Sequence, residues 1–462
     1  MTIREAAAAL RKKGLSAVDL ATAAIARIER LDASLRAFIT VTAPYALQRA
    51  RQADAELAAG NDRGTLHGIP IAVKDLFAMR GVRTTAGSKV FENFVPDANA
   101  TVIDRLEKCG AVLLGKLNLH ELAYGITSNN PFFGAVRNPW NVAHIPGGSS
   151  GGSGAAVAAN MVYAAMGTDT GGSIRIPASF CGSVGLKPTY GRISRYGVMP
   201  LAYSLDHAGP LTRSVSDAAV MLNAMAGPDP LDDSSSRHPT VDYLPEDVPS
   251  IRGLRVGFPQ NFFFERVDAD VESAVRGACA RAESLGAILK PVTVPDMAAI
   301  SAIGRVILLA ESSAYLEPYL NEPSRFGSDV WSLLQQGRLL PATDYVNAQR
   351  LRRRVREQFC ELWQEVDCLF TPTTPNTAPH IGAQIVTLGG VEEDVRLATT
   401  RFVRGMNVLG LPALSIPCGL SGSGLPIGLQ IIGPAFDEAL ILKVGAALEA
   451  GGVGIPPCQV ST

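Results

Sequence analysis

Two glycine-rich segments constrain this chain most. Gly147-Gly-Ser-Ser-Gly-Gly-Ser-Gly154 and Gly167-Thr-Asp-Thr-Gly-Gly-Ser173 flank the apolar stretch Ala155 to Met166, and together they hold eight of the chain's 45 glycines. Glycine lets a ligand approach the backbone closely and accepts positive φ, at an entropic cost on folding. Two such segments make a poor scaffold unless their N–H groups are aimed at something. A flexible Gly/Ser linker is the bland alternative. It fits poorly, because Ala155 to Ala159 is a helix-forming run and Met161 to Met166 reads as a buried strand.

The surrounding pattern is α/β. Ile69-Pro-Ile-Ala-Val-Lys-Asp75 reads as a strand with a lysine at its end, and Ala111-Val-Leu-Leu114 as a second buried strand. Helical patterns separate them, which suggests an α/β fold with covered sheet faces. Residues 1–60 read as helices. Ser16-Ala-Val-Asp19 resembles a capping box, and Leu20, Ala24, Ile28 and Leu31 follow at helical spacing. A long amphipathic helix is predicted from Thr343 to Asp367, with Val346, Leu351, Val355, Phe359 and Trp363 on its apolar face. The arginines between Arg350 and Arg356 read as the solvated face. The polar, Pro-rich stretch 226–250 is either a domain boundary or a surface loop. The length of 462 residues allows about two or three domains or one large unit.

Charge and composition exclude several classes. With 42 Lys+Arg against 43 Asp+Glu there is no basic footprint for nucleic acid. Seven scattered cysteines without C-x-x-C are a thiol inventory rather than a disulfide framework. The charged segment Met1 to Leu20 lacks the pattern of a signal peptide. The longest membrane-like stretch is Ala155 to Met166, well short of the ~20 residues a bilayer span needs. A cytoplasmic protein that binds neither nucleic acid nor membrane is expected.

Three chemistries could use such segments. The nearest phosphate-loop match, Gly110-Ala-Val-Leu-Leu-Gly-Lys-Leu117, has Leu117 where a hydroxyl belongs and reads as a buried strand. Gly147-Gly-Ser149-Ser-Gly151 fits the G-x-S-x-G nucleophile elbow, with His207, His238 and His380 downstream and none assignable as partner. The third is a serine driven by lysine, for which Lys74 is placed at the end of an apolar strand. Burial would have to lower its pKa by about three units, roughly 4 kcal/mol. The bland alternative pairs Lys74 with Asp75.

Longer motifs carry a resemblance. Gly68-Ile-Pro-Ile-Ala-Val-Lys-Asp75, the two glycine-rich segments continuing to Ile174-Arg-Ile-Pro177, and Phe180 to Thr189 are similar to the amidase signature family. So are Ser204 to Arg213, Gly410 to Cys418 and Leu425 to Gly433, so the resemblance runs across nearly the whole chain. It implies one α/β/α domain over 1–462 around a large mixed sheet, with N-terminal helices to 65, a signature core at 66–213 and the remainder at 214–462. It further implies a triad: Ser173 as nucleophile, Ser149 as relay with a cis peptide bond, and Lys74 as base. Backbone N–H groups of Thr170, Gly171, Gly172 and Ser173 are the expected oxyanion hole, and Tyr124, Gly125 and Ser150 the expected substrate contacts. No metal or cofactor is implied. His120-Glu121 begins like a zinc motif, but Tyr124 occupies the second histidine position. Asp169 and Arg175 are expected to orient the loop.

Family members include glutaminyl-tRNA amidotransferase A-type subunits, and Lys187 to Arg195 resembles theirs closely. Those subunits usually carry paired arginines after a Phe-Gly-x-Glu-Val segment and an aspartate near position 400, both for recognising glutamine. Here Phe326-Gly-Ser-Asp-Val330 is followed by Trp331-Ser-Leu-Leu334, and position 400 is threonine. The sequence therefore favours a stand-alone amidohydrolase acting on a small amide, anilide, carbamate, urea or aryl ester, with an apolar or aromatic group near Trp331. The amidotransferase component, dependent on partners and tRNA, is the alternative. A silent scaffold has no reason to keep Lys74, Ser149 and Ser173. A homodimer is left open.

Overall fold

The computed structural model describes residues 1–460. Its strands are β1 (Phe38–Val41), β2 (Pro70–Lys74), β3 (Val112–Leu117), and the small ribbon β4 (Asn129–Asn130) with β5 (Gly134–Ala135). β6 (Ala164–Asp169), β7 (Val184–Lys187) and β8 (His207–Thr212) follow, then β9 (Arg255–Pro259), β10 (Ile288–Val292) and β11 (Cys368–Pro372). β12 (Ile385–Leu388) pairs with β13 (Val391–Asp394), and β14 (Ala413–Leu420) and β15 (Pro426–Ile432) complete the series. Eleven strands form one mixed sheet in the order β1-β3-β2-β6-β8-β7-β14-β15-β11-β9-β10. Every residue of β2, β3, β6, β7, β8, β11 and β15 is buried, as strands covered on both faces must be.

Local chemistry explains the elements that position the site. The helix Ala17–Leu35 starts at a reciprocal box: Ser16 Oγ accepts from the Asp19 N–H at 3.0 Å and the Asp19 carboxylate accepts from the Ser16 N–H at 2.9 Å. β2 lies between β3 and β6 and runs parallel to both, so their C-terminal ends open on the same edge. The strand expected at Met161–Met166 is shifted: β6 begins at Ala164 and runs to Asp169, carrying the second glycine-rich segment directly off its end.

Two sequence expectations are corrected. The helix predicted at Thr343–Asp367 is Ala342–Cys360 followed by a short helix Leu362–Glu365, and Val346 and Leu351 are exposed. Phe359 is buried as expected, with Val355 and Trp363 packed against the same cluster, and Ala348 and Arg352 complete the inner face. Arg352 leaves the solvated run because its guanidinium reaches the carbonyls of Val408 at 2.7 Å and Ser204 at 2.8 Å. The second correction concerns apolar length. The helix Met297–Leu316 is longer than the Ala155–Met166 stretch and long and apolar enough to cross a membrane by length and composition. Here Met297, Ile300, Ile303 and Ile307 pack into the same cluster as Phe402 and Met406.

The connector at 226–250 is fastened to the rest of the chain. The Asp229 carboxylate accepts from Thr101 Oγ1 at 2.6 Å and Ser194 Oγ at 2.5 Å, and Arg105 donates to the carbonyls of Met225, Gly227 and Pro228.

Candidate active site

Lys74 ends β2 and Asp75 opens the turn that follows, and the two side chains find different partners. Asp75 pairs with Lys116 of β3 at 3.0 Å, both fully buried. Lys74 Nζ instead donates to Ser149 Oγ and to Thr168 Oγ1, each at 2.8 Å. The lysine has no solvent exposure and only hydroxyls as direct partners. Burial brings its ammonium down to about 7, against the opposing pull of the Asp206 and Asp169 charges. The pairing of Lys74 with Asp75 is thereby ruled out as the lysine's role.

Ser149 stands at the start of the first glycine-rich segment, after a cis Gly148–Ser149 peptide bond. In the adjoining helix Gly151–Ala158, Gly152 packs against backbone: a Cβ there would lie 2.4 Å from the Asn118 carbonyl oxygen. Ser150 is wholly buried, its hydroxyl donating to the Thr168 carbonyl at 3.1 Å and accepting from the Thr168 N–H at 3.3 Å. Its own N–H donates to the Ser173 carbonyl at 3.2 Å. Ser150, expected to touch substrate, is thus occupied in tying the two glycine-rich segments together. Ser173 keeps 6 % exposure. Among the described residues no hydrogen bond joins the Ser149 and Ser173 hydroxyls.

The second segment is organised by Asp169. Its carboxylate accepts from Arg175 Nε at 3.0 Å and Nη2 at 2.9 Å, and from Asn407 Nδ2 at 2.8 Å. Against the upward push of burial, the Arg175 guanidinium holds this carboxyl far below the usual carboxylate range. Arg175 is completed by Gln430 Oε1 at 2.7 Å and Asn407 Oδ1 at 2.8 Å. Asp169 Oδ1 also takes the Gly172 N–H at 2.8 Å. The expected oxyanion donor Gly172 is therefore already engaged, because Asp169 sits inside the turn that Gly172 closes. Among the described residues the N–H groups of Thr170, Gly171 and Ser173 have no intramolecular acceptor. Thr170 is held from its side chain, its hydroxyl donating to Asp206 Oδ1 at 2.5 Å.

One cavity adjoins this machinery and a second lies beyond Tyr124. The first, of about 280 Å³, reaches Thr168 and Thr170 between Leu76, Met199 and Asp206. The other, of about 250 Å³, is lined by Leu308, Leu309, Leu333 and Leu397 together with Tyr124, Arg305, Gln336, Asp394, Arg396 and Arg404. Tyr124 is therefore a cavity wall. Gly125 packs on the His120 ring, where a Cβ would lie 2.2 Å from Nε2. Trp331 lies against Phe326 with tilted rings at a centroid distance of 5.5 Å within an apolar cluster, and it does not line the 250 Å³ cavity, so the site expected near it for an apolar or aromatic group is not formed there. Thr168, Asp206, Asn407 and the three arginines escaped the sequence reading. Thr168 and Asp206 had a local signal, lying inside Gly167-Thr-Asp-Thr and Ser204-Leu-Asp-His.

A large mixed sheet that brings a buried lysine onto a serine of one glycine-rich segment, with a second serine in the other, is the arrangement of an α/β enzyme fold. The family model for Amidase matches residues 19–442. The chain belongs to the amidase family, the amidase signature enzymes. It is 42% identical to the A-type subunit of the glutamyl-tRNA(Gln) amidotransferase of Anaeromyxobacter sp. (strain K), over 98% of this chain and 97% of that one. The corresponding protein of Methylococcus capsulatus is 42% identical over 96% and 95%. A structure solved in work on a vestigial protein complex and the origins of an s-triazine catabolic enzyme superposes with a TM-score of 0.95, at 36% identity and full coverage of both chains. Peptide amidase from Stenotrophomonas maltophilia superposes with a TM-score of 0.89, at 32% identity, over 100% and 99%.

Proposed function

We propose that the protein hydrolyses the C–N bond of a small carboxamide through an acyl-enzyme on Ser173. The observation that carries this is the buried Lys74, lowered to about 7 and hydrogen-bonded to Ser149 Oγ at 2.8 Å. Neutral Lys74 accepts the Ser149 proton as Ser149 accepts that of Ser173, and Ser173 Oγ bonds to the carbonyl carbon. The hydroxyl-to-hydroxyl link closes as substrate settles, since catalytic hydrogen bonds tighten in the bound complex. The N–H groups of Thr170, Gly171 and Ser173 are the available oxyanion donors, each worth ~10²–10³ in rate. The proton returns through Ser149 to the departing nitrogen, the C–N bond breaks, and water releases the acid. The whole chain acts as one domain, since its eleven-stranded sheet takes strands from both halves.

Two roles fit this chemistry. The relatives named as A-type amidotransferase subunits favour an ammonia-releasing component working with partners over a stand-alone hydrolase. The residues around the cavity favour an amide other than glutamine: Trp331 is packed on Phe326, and Thr400 Oγ1 bonds back to the Arg396 carbonyl at 2.8 Å. Ammonia or amine release by the purified chain, with Ser173→Ala as control, tests the reading. Turnover that survives in Ser173→Ala refutes it. Activity on glutamine alone, appearing only with partner proteins, assigns the amidotransferase role.

A further inference from the structure

The small ribbon of β4 and β5 holds Ser128 against the first glycine-rich segment. This serine directly precedes β4, is wholly buried, and its carbonyl accepts the Val136 N–H at 3.0 Å from across the ribbon. Its backbone is left-handed, at a φ of +52, a conformation that residues with side chains adopt rarely and keep only where the surroundings enforce it. Asn130, on the same ribbon, donates to the carbonyls of Gly87 at 2.8 Å and Leu119 at 2.9 Å, so the ribbon is itself fastened.

From there the Ser128 hydroxyl reaches three backbone groups around Ser149. It donates to the Gly147 carbonyl at 2.9 Å, lies 3.4 Å from the Ser149 carbonyl oxygen, and accepts the Gly151 N–H at 3.1 Å. A hydroxyl has one proton and two lone pairs, so little of its bonding capacity is left over. The glycines close around it: a Cβ on Gly148 would lie 2.8 Å from Ser128 Oγ, and one on Gly151 2.3 Å. Among the described residues Ser128 is the single side chain bonded to the backbone of 147–149, whose N–H groups find no intramolecular acceptor. The other backbone tie there is the His120 N–H on the Ser149 carbonyl at 3.1 Å. Gly151 opens its helix, so its N–H has no helical acceptor, and the neighbouring Ser150 hydroxyl is turned to Thr168 instead of capping it.

We propose that Ser128 is a positioning residue of the proton relay: its hydroxyl fixes the 147–151 backbone so that Ser149 Oγ stays 2.8 Å from Lys74 Nζ and can take the Ser173 proton. The inference rests on the amide-hydrolase reading for the reaction it serves. Ser128 acts through Ser149 and is bonded to neither Lys74 nor Ser173. A reacting group misplaced by about 1 Å can lose ~10² in rate, so a brace on the relay serine reads out as rate.

Labelling by a fluorophosphonate reads the relay without a known substrate: Ser173 Oγ bonds to phosphorus, fluoride leaves, and the serine proton passes through Ser149 to Lys74. Intact-mass spectrometry gives the rate, with Ser173→Ala as the blank. Ser128→Ala is expected to slow labelling at least tenfold, and Ser128→Thr, which keeps the hydroxyl, to stay within threefold of wild type. In a Ser149→Ala background the Ser128→Ala change should cost less than twofold, because the relay it holds is gone. A serine with only a structural role costs the same factor in both backgrounds. Should Ser128→Ala fail to fold, Ser128→Cys, whose thiol is a weak donor, takes its place in the cycle with a loss of at least threefold. Hydrogen exchange gives a readout apart from activity: Ser128→Ala should quicken exchange at 147–152 at least tenfold and leave the helix Ala17–Leu35 unchanged. That local quickening, with wild-type Ser173 never labelled, upholds the brace and removes the hydrolase reading. Unchanged exchange overturns the proposal. So does labelling of Ser128→Ala at the wild-type rate, an equal loss in the Ser149→Ala background, or a Ser128→Thr as slow as Ser128→Ala.

Discussion

Replacing Lys74 with methionine should make the protein more stable and inactive at once. In the unfolded chain this lysine titrates at its ordinary 10.5, and in the folded protein burial brings it to about 7. Folding below pH 10.5 therefore requires either releasing a proton or burying a charge. That penalty is absent above pH 10.5. It grows by about 1.4 kcal/mol per unit as pH falls and levels off near 5 kcal/mol below pH 7. Methionine removes the penalty, keeps the apolar stem and forfeits two hydrogen bonds, to Ser149 and Thr168, of about 1 kcal/mol each. The net gain near pH 7 is about 2–3 kcal/mol, shrinking with rising pH and reversing sign toward pH 10. Urea unfolding of both proteins from pH 6 to 10, followed by tryptophan fluorescence, measures it. Turnover should fall by ~10²–10⁴, the usual share of a general base. A variant less stable than wild type at pH 7, with a difference flat in pH, would falsify the claim that Lys74 is held neutral.

The same lysine sets the acid limb of the rate profile: kcat/KM should fall about tenfold per unit below pH 7, as Lys74 becomes protonated. Asp206→Asn removes a charge that holds the proton on and should move the limb to lower pH; an unmoved limb assigns it to another group. Gly172→Ala places a Cβ 2.3 Å from Val403 Cγ2 at a φ of +119 and should destabilise by about 2–5 kcal/mol, while Gly171→Ala meets only Arg404 at 3.6 Å and should stay within ~1 kcal/mol. Thermal melts of the pair decide this. Asp169→Asn leaves the buried Arg175 charge unanswered and should cost about 3–5 kcal/mol in urea unfolding, with loss of activity as the Gly172 turn loosens.

Several features were legible because they are local. The cap at Ser16 and Asp19 needs only four consecutive residues, and the glycines of 147–154 and 167–173 announce tight backbone whatever surrounds them. Lys74, Ser149 and Ser173 each sit inside a contiguous motif, so their identities could be read off the chain. The helix at 342–360 was misjudged on its faces because Arg352 is drawn inward by carbonyls of Ser204 and Val408, partners that no periodicity reveals.

The sequence by itself determined the family, the α/β class, and which lysine and serines carry the proposed chemistry, since short-range backbone requirements write themselves into contiguous residues. Tertiary structure alone decided what those residues meet. The end of β2 gave Lys74 to Ser149 and the turn after it gave Asp75 to Lys116, while the turn around Asp169 engaged the Gly172 N–H. It also gathered Arg305, Arg396 and Arg404 from three helices into one cavity. The field at a buried site is the sum over charges that are near in space, and nothing in the spacing of these arginines along the chain encodes that nearness.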